Sequence, residues 1–417
     1  MTVCKFGGSS VCNAEKFKTV KQITKKIKTP VIVLSAVGKD EKDLIKTTDL
    51  LISACKKRKC EKQFYELLTK FYKRYLRIAS ELNVARLIKD ELEYFVKNAE
   101  SYTDEHIISR GEYFTAKIYS AFANVKFVDS KHFMRFTEDG VFLPEESNRL
   151  FFERTPKASF VTCGFYGSDG NGNIKLFERG GGDVTAAHLC SFCDENAYYN
   201  FTDVDGIYDS PPFCKNKSVI LRLGYAEAYF LTKHGDCVLT PASVLPLIKK
   251  RQKVIVLNSN QKSKHFTEAG ITKGISSNSF STENNLFLFK ISISEKILKS
   301  RIIYSILKSF MTDVIKIEHI AATKKTVTVI IKKAYKKSAE KAIKKYGAVF
   351  TVSRSYALHF AFKSKRQAKL KTAEIEKFIN DNDLSALKKT YPKALFISLY
   401  FDRLPKKIVN EIARIVK

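Results

Sequence analysis

The sequence predicts an α/β protein: an open, mostly parallel sheet in a three-layer αβα domain, followed by two small tandem ferredoxin-like α+β modules. Three observations predict it. A βαβ unit opens the chain, strands and helices alternate as far as residue 257, and the rhythm changes after a polar stretch near residue 280.

The opening unit is read from two patterns. Phe17, Val20, Ile23 and Ile27 recur at three- and four-residue spacing, the stripe of an amphipathic helix. Val31-Ile32-Val33-Leu34 is a short β-branched run that ends in Ser35-Ala36-Val37-Gly38, a buried strand feeding a loop. From Asp43 to Asn98 the pattern is helical. Strands follow at Val125–Asp129, Ser159–Gly164, Ile174–Phe177 and Tyr198–Thr202, with helices at Ala187–Cys193 and Tyr225–His234. Val254–Leu257 is expected as the last core strand, so the first domain is placed at residues 1–262.

The polar run Ser276–Asn285 reads as a linker or exposed loop. Beyond it comes a strand over Leu286–Ile293 and a helix over Arg301–Met311. Strands over Asp313–Ile320 and Thr326–Ile331 and a helix over Lys336–Tyr346, closed by Gly347, complete a βαββα order. The order recurs more loosely over Ala348–Phe362, Gln367–Asn380, Lys393–Phe401 and Lys406–Val416. Two modules are therefore expected, at 286–347 and 348–417.

Composition excludes several classes. Hydrophobic residues make up 44% of 417, enough for sizeable cores. The opening residues lack the apolar core of a secretory signal, and no apolar run is long enough to span a membrane. A soluble, cytoplasmic protein is expected. The nine cysteines are scattered and read as free thiols. Cys190 and Cys193 form one Cys-x-x-Cys pair without the two further ligands a zinc site needs, so no protein-held metal is expected. The net charge of +30 is uneven: from Leu286 onward 30 Lys and Arg stand against 10 Asp and Glu. Because these lysines are spread as pairs such as Lys332-Lys333, they read as a solvated surface, and nucleic acid is not the expected partner.

Five motifs carry chemistry. Lys5-Phe6-Gly7-Gly8-Ser9-Ser10 follows an apolar start; its glycines admit a phosphate to the backbone, and Lys5 supplies a mobile charge. It is not a Walker loop. Arg179-Gly180-Gly181-Gly182-Asp183 offers a guanidinium that can fork onto a carboxylate and an aspartate at a helix start. Phe201-Thr202-Asp203-Val204-Asp205-Gly206-Ile207-Tyr208 ends a strand in a polar loop, where α/β sheets bind nucleotides. Ser109-Arg110-Gly111-Glu112 and Lys46-Thr47-Thr48-Asp49 complete the set. Read singly, each is also a turn, a cap or a surface feature.

In this order and spacing the five motifs resemble the aspartate kinase family of the amino-acid kinase superfamily, over about residues 1–262. Ser35-Ala36-Val37-Gly38 and the segment from Leu223 to Pro241 add to the likeness. The C-terminal modules resemble that family's paired ACT domains. The resemblance implies phosphoryl transfer from ATP to the side-chain carboxylate of L-aspartate, with Mg²⁺ bridging ATP oxygens. Lys5 would stabilise the moving phosphoryl, and Asp183 would organise Lys5 and substrate. Gly7, Gly8 and Ser9 would hold phosphates. Thr48, Glu112 and Arg179 would bind aspartate, Glu112 meeting its ammonium group, with Gly182 and Ser9 beside them. Ser35, Thr202, Asp203 and Tyr208 would line the nucleotide site. A homodimer through the ACT-like modules is implied. The same glycine loop and TDVDGIY run are compatible with a glutamate or N-acetylglutamate kinase, and a catalytically weakened paralogue is the further alternative.

The chain departs from the family pattern at four positions. Gly182 stands where the family has Ser, and Pro211 and Phe213 where it has an Asp and an Arg. Asp236 stands where it has a Lys. Phe213 and Asp236 remove positive charge near the phosphates, each contact being worth about 1.5–3 kcal/mol; ATP binding is expected to weaken about 10- to 100-fold unless Lys215 or Lys217 compensates. Ser292–Lys299 lacks the glycine-bearing loop of an ACT effector site, so feedback inhibition by lysine or threonine is not expected.

Overall fold

The computed structural model describes the chain except residues 179, 215–216, 235–237, 261–264, 271–273, 293–301, 314, 324, 383, 385 and 391–395. The chain divides into two compact units. One comprises residues 1–207, 219–232 and 237–273, the other residues 208–218, 233–236 and 274–417.

The first unit is built on an eight-stranded sheet in the order β3-β4-β2-β1-β7-β9-β10-β8. Its centre is β1 (Thr2–Phe6) between β2 (Pro30–Leu34) and β7 (Ala197–Thr202), all parallel. Beyond β2 lie β4 (Phe160–Cys163) and β3 (Lys126–Val128), also parallel. All five residues of β2 and all four of β4 are buried, as expected of strands covered on both faces. Beyond β7 lies β9 (Lys253–Asn258), paired to it in parallel. It is not the last strand of the sheet. β10 (Thr267–Ala269) pairs antiparallel to it, and β8 (Arg222–Leu223) pairs with β10. These two strands of three and two residues carry no periodicity to read. The remaining pair, β5 (Tyr166–Ser168) and β6 (Ile174–Leu176), is a separate hairpin.

Helix α1 (Ala14–Thr24) starts where the Asn13 side chain accepts from the Lys16 amide at 3.1 Å, and it buries Phe17, Val20 and Ile23. α2 (Thr47–Lys56), α3 (Glu61–Glu81), α4 (Lys89–Lys97) and α5 (Asp104–Ala123) follow. α3 buries Phe64, Leu68, Phe71, Tyr75 and Ile78, one stripe of a 21-residue helix, in the same core as β1 and β2. α6 (Pro144–Arg154), α7 (Gly181–Phe192), α9 (Pro241–Lys250) and α8 (Tyr225–His234), whose last two residues are counted with the second unit, complete the unit's α-helices among the described residues.

The second unit is a six-stranded antiparallel sheet in the order β12-β13-β11-β14-β16-β15. Ser276–Asn285 does not act as a linker here: β11 runs from Ser279 to Ser292. Its first part pairs with Ala357–Ala361 of β14 (Phe350–Ala361), and after a register shift between Glu283 and Leu286 its second part pairs with Phe350–Ser355. The two expected α+β modules therefore share both long strands. One adds β12 (Ile317–Ala322), β13 (Thr326–Lys332), α10 (Ile302–Thr312) and α11 (Lys336–Lys345). Gly347 takes a φ of +65° after α11, as its place in the sequence predicts. The other adds β15 (Ala386–Thr390), β16 (Phe396–Phe401), α12 (Lys365–Asp381) and α13 (Lys406–Val416). Each helix pair closes its own apolar core. Among the described residues no helix is long and apolar enough to cross a membrane.

Candidate active site

The carboxyl ends of β1, β2, β4 and β7 open into one crevice, and the backbone ties their loops together. The Gly7 amide donates to the Phe201 carbonyl (3.2 Å), Ser35 to Phe6 (3.1 Å), Gly164 to Leu34 (3.0 Å) and Gly38 to Gly8 (3.0 Å). Two close approaches require glycine. A Cβ on Gly38 would stand 2.5 Å from the Gly8 carbonyl carbon, and one on Gly164 would stand 2.8 Å from the Gly182 Cα. Chain crossing at this end of a parallel sheet leaves a ligand-sized space. Here it is a cleft of about 760 Å³.

The cleft gathers the residues singled out in sequence. Lys5, Gly7, Gly8, Ser9, Ser35, Thr48, Glu112, Gly182, Asp183, Thr202 and Asp203 all line it. Arg179 lies outside the described residues, as do Lys215, Asp236 and most of Ser292–Lys299. Tyr208 is not among the lining residues. It belongs to the second unit, where its ring lies 5.0 Å below Lys217 Nζ, and that lysine also donates to the Pro212 carbonyl (3.0 Å). Phe213 is 41% exposed.

Two buried charges dominate. Lys5 Nζ, from near the carboxyl end of β1, meets Asp183 Oδ1 from the first turn of α7 at 2.8 Å, and each side chain is 9% exposed. Asn200 on β7 donates to the same oxygen at 2.9 Å. The pair is held from two sides, so the lysine head is fixed beside Gly7, whose Cβ position would lie 3.7 Å from Nζ. Asn200 had no reading in the sequence beyond a strand; a single amide within the apolar run Tyr198–Phe201 is the signal that marks it.

Glu112 is different. It is buried on α5, its Oε2 has no hydrogen-bond partner, and it faces the cleft. Burial pushes its carboxyl up to about 8, with the Ala36 backbone and the Arg110 charge offsetting only part of the rise. A cationic group arriving beside it would supply the missing partner.

The Thr48 wall is braced from behind by α3. Arg74 pairs with Asp43 (3.1 Å) and donates to Thr47 Oγ1 (3.1 Å), while Arg77 pairs with Asp43 (2.7 Å) and Asp40 (3.2 Å). Burial pushes the Asp43 carboxyl up, but hydrogen bonds and charge from Arg74 and Arg77 outweigh it and hold the group below its ordinary value. Tyr75 adds a hydroxyl that receives the Val37 amide (3.2 Å) and donates to the Gly111 carbonyl (2.9 Å).

A glycine-lined cleft with one fixed ammonium group and one carboxyl group with an unpartnered oxygen suits transfer of an anionic group to a zwitterion. The profile of the amino acid kinase family matches residues 1–258. The chain belongs to the amino acid kinase family. Among its family relatives, Aspartokinase 3 of Bacillus subtilis (strain 168) is 30% identical over 283 residues, spanning 63% of this chain and 62% of that one. Aspartokinase 1, chloroplastic, of Arabidopsis thaliana is 29% identical over 286 residues, 62% of this chain and 50% of that one. The match therefore spans less than two thirds of the length of these curated relatives. The Clostridium acetobutylicum aspartate kinase structure superposes with a TM-score of 0.81 at 23% identity, covering all of both chains. The E. coli aspartokinase III structure in complex with aspartate and ADP does so with a TM-score of 0.83 at 17% identity, covering 100% of this chain and 99% of that one. At these identities the likeness is one of fold.

The Cys-x-x-Cys pair takes no part in the cleft. Cys190 is buried on α7, its Sγ donating to the Glu195 carbonyl at 3.5 Å, and burial pushes both Cys190 and Cys193 up to about 12. Both are thiols that pack, not thiolates that react.

Proposed function

We propose that this chain is an ATP-dependent aspartate kinase, transferring the γ-phosphoryl of MgATP to the side-chain carboxylate of L-aspartate to give 4-phospho-L-aspartate and ADP. The observation that carries the reading is the pairing of opposite needs in one cleft: a fixed Lys5 and a Glu112 with one oxygen unpartnered. The named relatives support the choice of aspartate.

A substrate carboxylate oxygen attacks the γ-phosphorus, the bond to the β,γ-bridging oxygen breaks, and ADP leaves with the electron pair. A carboxylate needs no general base, so positioning and charge neutralisation suffice. Lys5 meets charge gathering on the transferred oxygens, and Asp183 with Asn200 holds Lys5 in place. Backbone N–H groups of Gly8 and Ser9 donate to phosphate oxygens, and Gly7, whose N–H is taken by the Phe201 carbonyl, leaves room for the phosphate to approach. Glu112 binds the substrate ammonium, whose charge draws the carboxyl into its ionised form, and Thr48 stands beside it. Arg179 as the carboxylate clamp and Tyr208 on the nucleotide side are carried by the sequence resemblance alone; Ser35, Thr202 and Asp203 line that side. The metal arrives on the nucleotide as part of the substrate. Gly182 removes a hydroxyl from the cleft, and a side chain there would meet Ser35 Oγ at 3.1 Å. The same proposal includes a catalytic region over residues 1–262, regulatory-type modules over 286–347 and 348–417 that serve dimerisation, and a cytoplasmic location.

A coupled assay of ADP release with MgATP, comparing L-aspartate with L-glutamate, tests this. Turnover is expected with aspartate. Silence with aspartate, or preference for glutamate, overturns the assignment.

A further inference from the structure

The second unit holds a cluster that the reaction does not use. His234 ends α8, Glu283 lies on β11 just before its register shift, and His359 lies on β14 beside it. One ligand atom from each lies within 4.8 Å of those from the other two. The two imidazoles stack with centroids 4.2 Å apart. His359 Nε2 is 3.4 Å from Glu283 Oε2, and its other nitrogen, Nδ1, is 2.7 Å from Ser398 Oγ on β16. The His234 backbone carbonyl accepts from Ser281 Oγ at 2.9 Å.

We propose that His234, Glu283 and His359 form a binding site for one divalent transition ion of the Zn²⁺ or Co²⁺ type. Two imidazoles and a carboxylate are the donor set that borderline ions select over Mg²⁺ or Ca²⁺, which take oxygen ligands. A fourth position falls to water. The surroundings suit the donors. Both imidazoles are buried, so a donor set is held out of bulk water. Glu283 Oε2 faces His359 Nε2 at 3.4 Å and is available to share an ion with it. Ser398 acts as an outer partner that orients the His359 ring and directs Nε2 toward Glu283. Lys332 holds the opposite carboxylate oxygen, Oε1, at 3.1 Å and also faces Glu318 at 3.9 Å. Lys233, Lys332 and Lys389 all bear on His234 electrostatically. Their charge opposes a cation, so the affinity is expected to lie below that of closed four-ligand sites. The two histidines are far apart in sequence, which is why no spacing motif announces them.

The full chain, stripped with chelator and dialysed, is titrated with Co²⁺ by visible absorption and with Zn²⁺ by calorimetry. One equivalent and ligand-field bands are expected. His359→Gln and His234→Gln should each weaken binding by at least ~100-fold and Ser398→Ala by ~10-fold. Cys190→Ser/Cys193→Ser should leave it unchanged. Absence of saturable binding overturns the proposal, as does binding that survives both histidine changes or is lost with the cysteines. If circular dichroism shows one histidine variant unfolded, the other and Glu283→Gln carry the test.

Discussion

The two units bury charge in different ways. In the second, the half-buried Glu283 has Oε1 beside Lys332, which reaches on to Glu318, and Oε2 facing His359 Nε2 at 3.4 Å. In the first, the Lys5–Asp183 pair is complete, but Glu112 has an oxygen with no protein partner. Leaving a buried acceptor unsatisfied costs about 1–3 kcal/mol, and selection for stability alone would remove it. The difference teaches where to look for each ligand: an acid oxygen facing imidazoles suits an ion, and one facing an open cleft beside a fixed lysine suits a cationic substrate group.

The largest expected effect comes from opening the complete pair in the cleft. Lys5→Met removes the charge aimed at the phosphoryl oxygens and should lower kcat by at least ~10²- to 10³-fold. It also strands Asp183 in a buried position, at a cost of about 3–5 kcal/mol. The double variant Lys5→Met/Asp183→Asn should recover most of the stability and none of the turnover. Thermal unfolding and single-turnover assays separate the two losses. If activity returned with stability, the pair would be scaffold and the comparison between the units would fail.

The next effect follows from Glu112. Folding raises its pKa from 4.5 to about 8, so the folded state favours the protonated carboxyl. The stability this contributes is fully present below pH 4.5 and is lost as pH rises through about 8. Glu112→Gln should therefore flatten that slope, leave the variant more stable than the parent above pH 8, and raise KM for aspartate. Melting temperatures from pH 4 to 9 for both proteins check the sign. A parent whose stability rose across this window would show that Glu112 is satisfied within the protein.

Much of the site was legible because its residues are forced together by strand ends. KFGGSS, SAVG and TDVDGIY each close a strand of one parallel sheet, so a reader who places the strands has placed the loops. Glu112 was found by its motif, but its unpartnered oxygen depends on burial under Ala36 and could not be read. Asn200 was hidden inside a strand. In the second unit SSNSFSTENN looked like a linker because its polar residues satisfy a turn composition. Yet β14 offers it a partner, and Ser279 and Phe280 are buried by that pairing. Tertiary pairing overrides local preference there. The short strands β8, β10 and β15 were missed for the same reason, since pairing alone defines them.

The smallest effect should come from an ion pair that is neither complete burial nor an open site. Lys388 Nζ on β15 meets Glu376 Oε1 on α12 at 2.7 Å, a distance as short as that of Lys5–Asp183, yet the side chains are 40% and 46% exposed. Distance alone would rank the two pairs together. Solvent decides otherwise: water screens the attraction, and two long side chains lose rotamer freedom to hold one geometry. Glu376→Gln should cost less than ~1 kcal/mol, and raising salt should shrink the difference further. Chemical denaturation of both proteins at low and high ionic strength measures it. A loss as large as that of Lys5→Met would mean that geometry rather than burial sets the worth of a charge pair in this fold, and the contrast between the cleft and the second unit would lose its physical basis.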